Sequence, residues 1–559
     1  MHYYKFISII LILFTFSCKK DKEEPVVIET KTYDVEVPLS HGLKNSLEFV
    51  KVHSDVTPIL KAKEDNIVLS WNFQVKDHRM SIYLKGLSFT LKGTENLEDF
   101  KGFSLEYIDD KDSISTFGEL TKVTADSILT FSDKVKLSKG RNSFRLKCSL
   151  KDNANINNHL EITPLSMTIS GKKYKLDLGS LQRKFGIALL QHGQGGIDTY
   201  RIPGLITTRK GTLIAVYDIR HNSSKDLQGD IDVGMSRSTD GGQTWQPTDV
   251  VIDMGEYGRK PEKLNGVGDP SILYDEKNHT LWVAALWAHG MNEKKMVWTG
   301  SRPGMSPRRT GQLVLVKSTN DGKTWSEPYN ITSQVKNPDW QLLMQAPGRG
   351  VTVGDSVLVF PVQFKEKLDK PSIDGETYTP FASIIYSKDR GRTWQIGSGA
   401  KANTMESQAI VLNDGNLMLN MRDIHNKGND SKTNGRAIAF TDDFGATWTN
   451  HSTSNSALVE PSCQASLIKD EFLVDGNLRS IVLFSNPASK AKRENMSIKV
   501  SLDDAESWLP KHTTLIDSGE GRGYSSLTKV DDEHVGILYE GSGADLVFQI
   551  YHIKELIRN

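Results

Sequence analysis

Short apolar or alternating runs, broken at close intervals by Gly, Asn, Asp and Ser, fill most of this chain, and that period-2 text predicts strands rather than helices. In the first third the runs include Asn66 to Phe73, Met80 to Leu84, Ser143 to Cys148 and Leu160 to Ile169. Turn residues between them predict an all-β sandwich over residues 26–181. The strand text pauses between Leu178 and Lys184, and Phe185 to Leu190 opens a second region, 182–559, with a different signature.

In that region apolar runs such as Gln312 to Lys317 and Ala382 to Tyr386 lead into a Ser/Thr-x-Asp-x-Gly-x-Thr-Trp segment. The copies are Ser238 to Trp245, Ser318 to Trp325 with Asn320 in the Asp slot, Ser387 to Trp394, Thr441 to Trp448, and a degraded Ser501 to Trp508. Asp, Asn and Gly form turns and Trp returns the chain to an apolar layer, so turn chemistry explains every residue of the motif without a ligand. Successive copies start 80, 69, 54 and 60 residues apart, which suits four-stranded blades carrying loops of variable length. A β-propeller is expected.

A length of 559 residues implies at least two domains. Acidic and basic residues balance at 69 each, which argues against a nucleic-acid binder working by bulk charge and still permits a local positive pocket. There is no His-Glu-x-x-His, no Cys-x-x-Cys pair, no Gly-rich phosphate cradle and no EF-hand run, so neither metal nor cofactor is expected. His192, His289 and His425 are expected to be structural or surface residues. Of the cysteines, Cys148 and Cys463 fall in separate domains and are expected as buried small hydrophobes rather than a disulfide.

The N-terminus reads as a targeting element: Lys5 precedes an apolar run from Phe6 to Phe16, too short for a comfortable span, and Cys18 follows. It resembles a bacterial lipoprotein signal. The resemblance implies removal of residues 1–17, lipidation of Cys18 and a polar tether over 18–25. The protein would then be exported and lipid-anchored to the outer membrane, on its periplasmic or cell-surface face. The sandwich that follows could bind sugar or act as a spacer.

The segment Tyr200 to Leu205 places Arg201 just before a proline-stiffened strand start, where rigid backbone holds its guanidinium. Together with the turn repeats it closely resembles the bacterial exo-sialidases, whose repeats are called Asp boxes, over roughly Leu181 to Asn559. That resemblance implies a six-bladed propeller acting as a monomer on sialylated glycans. It also implies that Arg201, Arg422 and Arg493 clamp the carboxylate of a terminal sialic acid. The chemistry fits, since guanidinium stays charged and donates in two prongs to a carboxylate.

Sialidases are exceptions among glycosidases in using a tyrosine nucleophile. A carboxylate attacking an anomeric carbon that already bears one would meet like charge, whereas a phenol attacks nearly uncharged but needs a base beside it. The resemblance assigns the nucleophile to Tyr524, its base to Glu406, and the acid/base to Asp226, with Asp230 and Asp232 as competing acids. It adds Arg220 as a further sugar-binding residue and Asp269 as the residue meeting the hydroxyl at C4. The implied reaction is exo-α-sialidase hydrolysis with net retention. A trans-sialidase, an intramolecular trans-sialidase, or a non-catalytic sialic-acid lectin are the alternatives.

Overall fold

A computed structural model describes residues 33–76, 81–120, 127–290 and 294–557, and the expected leader, Cys18 and tether lie outside them. The described chain is overwhelmingly strand, with helices of no more than four residues. No described helix is long and apolar enough to cross a membrane.

The N-terminal third forms two facing sheets. In the first, Asn66–Val75 and Gly140–Leu150 lie at the centre; in the second, His159–Ile169 pairs with Ile82–Thr90 and Lys172–Lys175. Alternate residues of the central strands are buried, as period 2 requires. Trp71, Phe73 and Phe144 from one sheet meet Phe89 and Phe131 from the other in a single core, where each fully buried aromatic contributes roughly 1.5–3 kcal/mol. Cys148 belongs to this core and is a free thiol, as is the buried Cys463.

The strand Leu181–Leu190 serves both halves. Its first residues pair with His159–Ile162, and Ile187–Leu190 pair with Leu546–Phe548. Along its other edge Phe185–Ile187 run parallel to Ile59–Lys61.

Residues from Thr199 onward form successive antiparallel sheets that open with Thr199–Thr207, Val267–Asp275, Leu342–Gln345, Thr404–Val411, Ser466–Val474 and Ser525–Lys529. Leu181–Leu190 is hydrogen-bonded to Leu546–His552 in the last of them and continues it into the His159–Ile169 sheet, so the ends of the chain's second half are joined by main-chain hydrogen bonds. Neighbouring sheets touch in sequence, Thr404–Val411 meeting the third sheet through Val357–Lys367, and Ser525–Lys529 of the last returns to Thr199–Thr207.

Each Asp box follows the third strand of its sheet and is a closed turn. In the first, Ser238 Oγ donates to Asp240 Oδ1 (2.8 Å), which also accepts from the Thr244 amide (3.0 Å). Gly242 has φ 90°, and a Cβ there would lie 2.3 Å from the Phe548 ring, so glycine is required. The degraded copy puts Ala505 in the same slot at φ 70° and keeps the hydrogen bond from its amide to Ser501. In the first sheet Arg220 pairs with Ile231 at one end and Leu213 with Ser238 at the other. The box is therefore a strand length away from Arg201, Asp218 and Arg220.

Candidate active site

Arg201, Arg422 and Arg493, far apart in sequence, converge around one phenol. The Arg201 and Arg493 guanidinium carbons stand 5.3 Å and 5.6 Å from the centre of the Tyr524 ring, and Arg422 Nη1 is 3.5 Å from its hydroxyl. A register shift between Arg201 and Gly204 turns the strand aside, and Ile202 sits at φ 60°, a left-handed conformation unusual for a β-branched residue. Such strain persists only where surrounding contacts enforce it.

Here the contact is Glu540. Its carboxylate is buried and accepts from Arg201 Nε (3.0 Å), Arg201 Nη2 (3.3 Å), the Ile202 amide (3.0 Å) and the Tyr524 amide (3.1 Å). One side chain thus fixes an arginine of the clamp, the strained turn beside it and the backbone of the tyrosine. Burial alone would push the Glu540 carboxyl up, but Arg201 and these hydrogen bonds outweigh it and hold it below the usual carboxylate range.

The Tyr524 hydroxyl donates to Glu406 Oε1, while Glu406 Oε2 accepts from Arg422 Nη1 at 2.7 Å. Burial and the Glu406 charge raise the phenol well above its ordinary value, with Arg422 and Arg493 pulling it back. It is therefore protonated in the resting site. Beneath the pair lies the fully buried ion pair Arg436–Glu460 (2.7 Å), whose guanidinium also reaches the Glu406 carbonyl (3.4 Å).

Asp226 stands on the loop between Leu213–Arg220 and Ile231–Ser238 with its side chain half exposed. It accepts from Arg220 Nη1 at 2.8 Å and Arg201 Nη1 at 3.2 Å. Its partial burial favours the neutral form, but Arg220 and Arg201 win and hold the carboxyl below its ordinary value. Asp232 faces the other way, toward His221 Nε2 (2.8 Å), Asp253 and Glu262, and burial raises it to about 6. Asp230 bonds to Asn222 (3.1 Å). Of the competing acids only Asp226 faces the arginines.

Arg220 is held by Asp218, buried without exposure, whose Oδ2 accepts from Nη2 (2.9 Å) and Nε (3.1 Å). Asp218 Oδ1 also accepts from the Asp269 amide (2.8 Å), fixing Asp269 at φ 57°. Burial, then Asp218 and Asp226, push the Asp269 carboxyl well up. Of the histidines singled out in the sequence, the buried His289 bonds to Asn265 (2.8 Å), while the exposed His192 and His425 bond to the Asp198 carbonyl and to Asp423 (2.7 Å).

With this geometry in hand, relatives decide the family. Residues 202–540 match the BNR repeat-like domain and residues 48–173 the N-terminal domain of BNR-repeat neuraminidase. A sialidase of Bacteroides fragilis is 45% identical over 426 residues, covering 76% of this chain and 75% of that protein. The chain belongs to the BNR-repeat sialidases. A second sialidase, of Micromonospora viridifaciens, is 30% identical over 360 residues, 64% of this chain and 52% of that protein. Among solved structures the Hadza microbial sialidase Hz136 superposes with a TM-score of 0.83 at 36% identity, over 90% of this chain and all of that one.

In this sialidase the sequence reading missed Glu540 and Asp218, the two carboxylates that organise the cationic side of the site. Asp218 stands two residues before Arg220, the separation of side chains on one face of a strand, so a signal was present. Glu540 closes the run Val535 to Tyr539 and carries no motif; only the pairing of Ser525–Lys529 with His534–Tyr539 brings it under Tyr524.

Proposed function

We propose that this sialidase is an exo-α-sialidase whose second half is a six-bladed β-propeller and whose first third is a β-sandwich. It would cleave terminal α-linked sialic acid from glycans with net retention. The observation that carries the reading is the Tyr524 hydroxyl, donating to Glu406 inside a triangle of guanidinium groups. A site that only bound an anionic sugar would gain nothing from a phenol–carboxylate pair at its floor.

Arg201, Arg422 and Arg493 receive the substrate carboxylate. Its negative charge then competes for Arg201, which now bonds Asp226, and closure excludes water from the half-exposed Asp226 side chain. Both changes raise the Asp226 carboxyl from its depressed resting value, so it takes up the proton that it gives to the glycosidic oxygen. As that bond breaks, Tyr524 passes its proton to Glu406 and its oxygen bonds to the anomeric carbon. Water, deprotonated by Asp226, then attacks the anomeric carbon and breaks the tyrosyl glycosidic bond, and Glu406 returns the proton to the phenol. Export through a lipidated Cys18 belongs to the same reading, because the substrates are glycans outside the cell.

The experiment is hydrolysis of a panel of sialosides by the purified protein, with proton NMR on the anomer released first. The α-anomer is expected. Release of the β-anomer would reject the covalent route, and absence of turnover on every linkage would reject the enzyme.

A further inference from the structure

Two residues before Tyr524, Arg522 lines a cleft that opens beside the arginine cluster. Its backbone is engaged, the carbonyl accepting from Arg493 Nη1 at 2.9 Å. Its side chain is half-buried and makes no hydrogen bond or ion pair with any described residue. The acids nearest to it are already in use: Glu540 by Arg201, Ile202 and Tyr524, Asp545 by the Tyr200 amide (3.0 Å), and Glu520 by Lys492 (3.5 Å).

The cleft is shaped by backbone. A Cβ on Gly521 would lie 2.6 Å from the Glu540 carbonyl, and one on Gly519 would lie 2.4 Å from Ser542 Cβ. The two loops therefore pack closely at these glycines, and Arg522 lines the cleft between them. Burial and repulsion from Arg201 and Arg220 lower the Arg522 guanidinium, with Glu540 and Asp545 pulling it back up. Those two arginines are also the partners of Asp226, so the cleft adjoins the place where the glycosidic oxygen must sit.

We infer that Arg522 forms a subsite for an anionic group on the sugar that follows the scissile bond, namely the carboxylate of a penultimate sialic acid or a sulfate ester. The inference rests on the sialidase reading above, in which the terminal carboxylate occupies the other three arginines. An unpaired guanidinium facing solvent gains little, whereas two-pronged contact with an anion in a partly desolvated cleft is among the stronger polar contacts a protein makes.

The test compares kcat/KM for a neutral substrate, sialyllactose, with an α2,8-linked sialic acid dimer and a sulfated sialyllactose, in wild type, Arg522→Ala and Arg522→Lys. The ratio of anionic to neutral substrate should fall roughly tenfold in Arg522→Ala, with most of it kept by Arg522→Lys. The wild-type ratio should also fall as salt rises. Whichever anionic substrate loses its advantage identifies the anion. Equal ratios in wild type and Arg522→Ala would overturn the subsite, and so would a salt-independent wild-type ratio if the alanine variant does not fold. Absence of turnover on sialyllactose in wild type would instead reject the enzymatic reading.

Discussion

The Tyr524 hydroxyl and the Glu406 carboxylate are joined by a hydrogen bond at the floor of a site where both are buried, 118 residues apart in the chain. Arg422 touches both members, at 2.7 Å and 3.5 Å, so the phenol's proton and the charge it would leave behind have assigned places before any substrate arrives.

Removing either member should separate binding from turnover. Tyr524→Phe leaves the ring between Arg201 and Arg493 and is expected to abolish most turnover while a sialic-acid-like inhibitor still binds. Glu406→Gln should lower kcat by roughly 10²–10⁴-fold. Isothermal titration with the inhibitor, alongside kcat, checks both; unchanged kcat in Tyr524→Phe would remove it from the nucleophile's role.

Asp226→Ala should depend on the leaving group. With Asp226 as the acid, sialosides whose leaving group is a sugar hydroxyl depend on its proton, so kcat on sialyllactose is expected to drop by roughly 10²–10⁴-fold. A fluorogenic sialoside with an acidic phenol leaving group needs little help in the first step and should lose far less in a burst measured before deglycosylation. Equal losses on both substrates would argue that Asp226 only binds.

Glu540→Gln keeps the volume and removes the buried anion that balances Arg201. Breaking a buried ion pair costs up to roughly 3–5 kcal/mol, reduced here because Asp226 still faces Arg201, so a lower melting temperature is expected. With Ile202 released from its enforced φ and Arg201 unmoored, KM should rise more than kcat falls. A variant with native melting temperature and native KM would mean that the clamp is held by other contacts.

The Asp boxes should respond to acid. Hydrogen bonds to Asp389 and Asp443 hold both carboxyls down at about 2, against an ordinary 3.8. A depressed folded value contributes stability that is complete above the unfolded pKa and is lost as pH falls from about 4 toward 2. Urea midpoints measured across that window should drop. Asn320 shows the remedy, since its amide accepts from Thr324 N (3.0 Å) and donates to Thr324 Oγ1 (2.8 Å). Asp389→Asn and Asp443→Asn should therefore keep the turns and flatten the acid dependence; an unchanged slope would assign it elsewhere.

The strands at Asn66–Val75, Ile82–Thr90, Gly140–Leu150 and His159–Ile169 were legible because one face of each is buried and alternation records it. The box turns were legible because Ser, Asp, Gly and Thr satisfy one another within a few residues. Both signals are local, so the order of residues along the chain carries them in full. Tyr524 and Glu406 were reached through motif resemblance rather than through pattern, and their contact was not visible in the text.

What tertiary structure alone decided is charge pairing. Nothing local in the sequence says that Glu540 lies under Arg201, that Asp218 reaches the Asp269 amide, or that Asp232 turns away to His221. Nor does it say that Asp226 rests as an anion between two arginines or that the Arg522 side chain has no hydrogen-bond or ion-pair partner among the described residues. Hydrophobic burial is written into each strand by its period, whereas an ion pair depends on where two distant strand ends meet, and that is set only when the sheets close on one another.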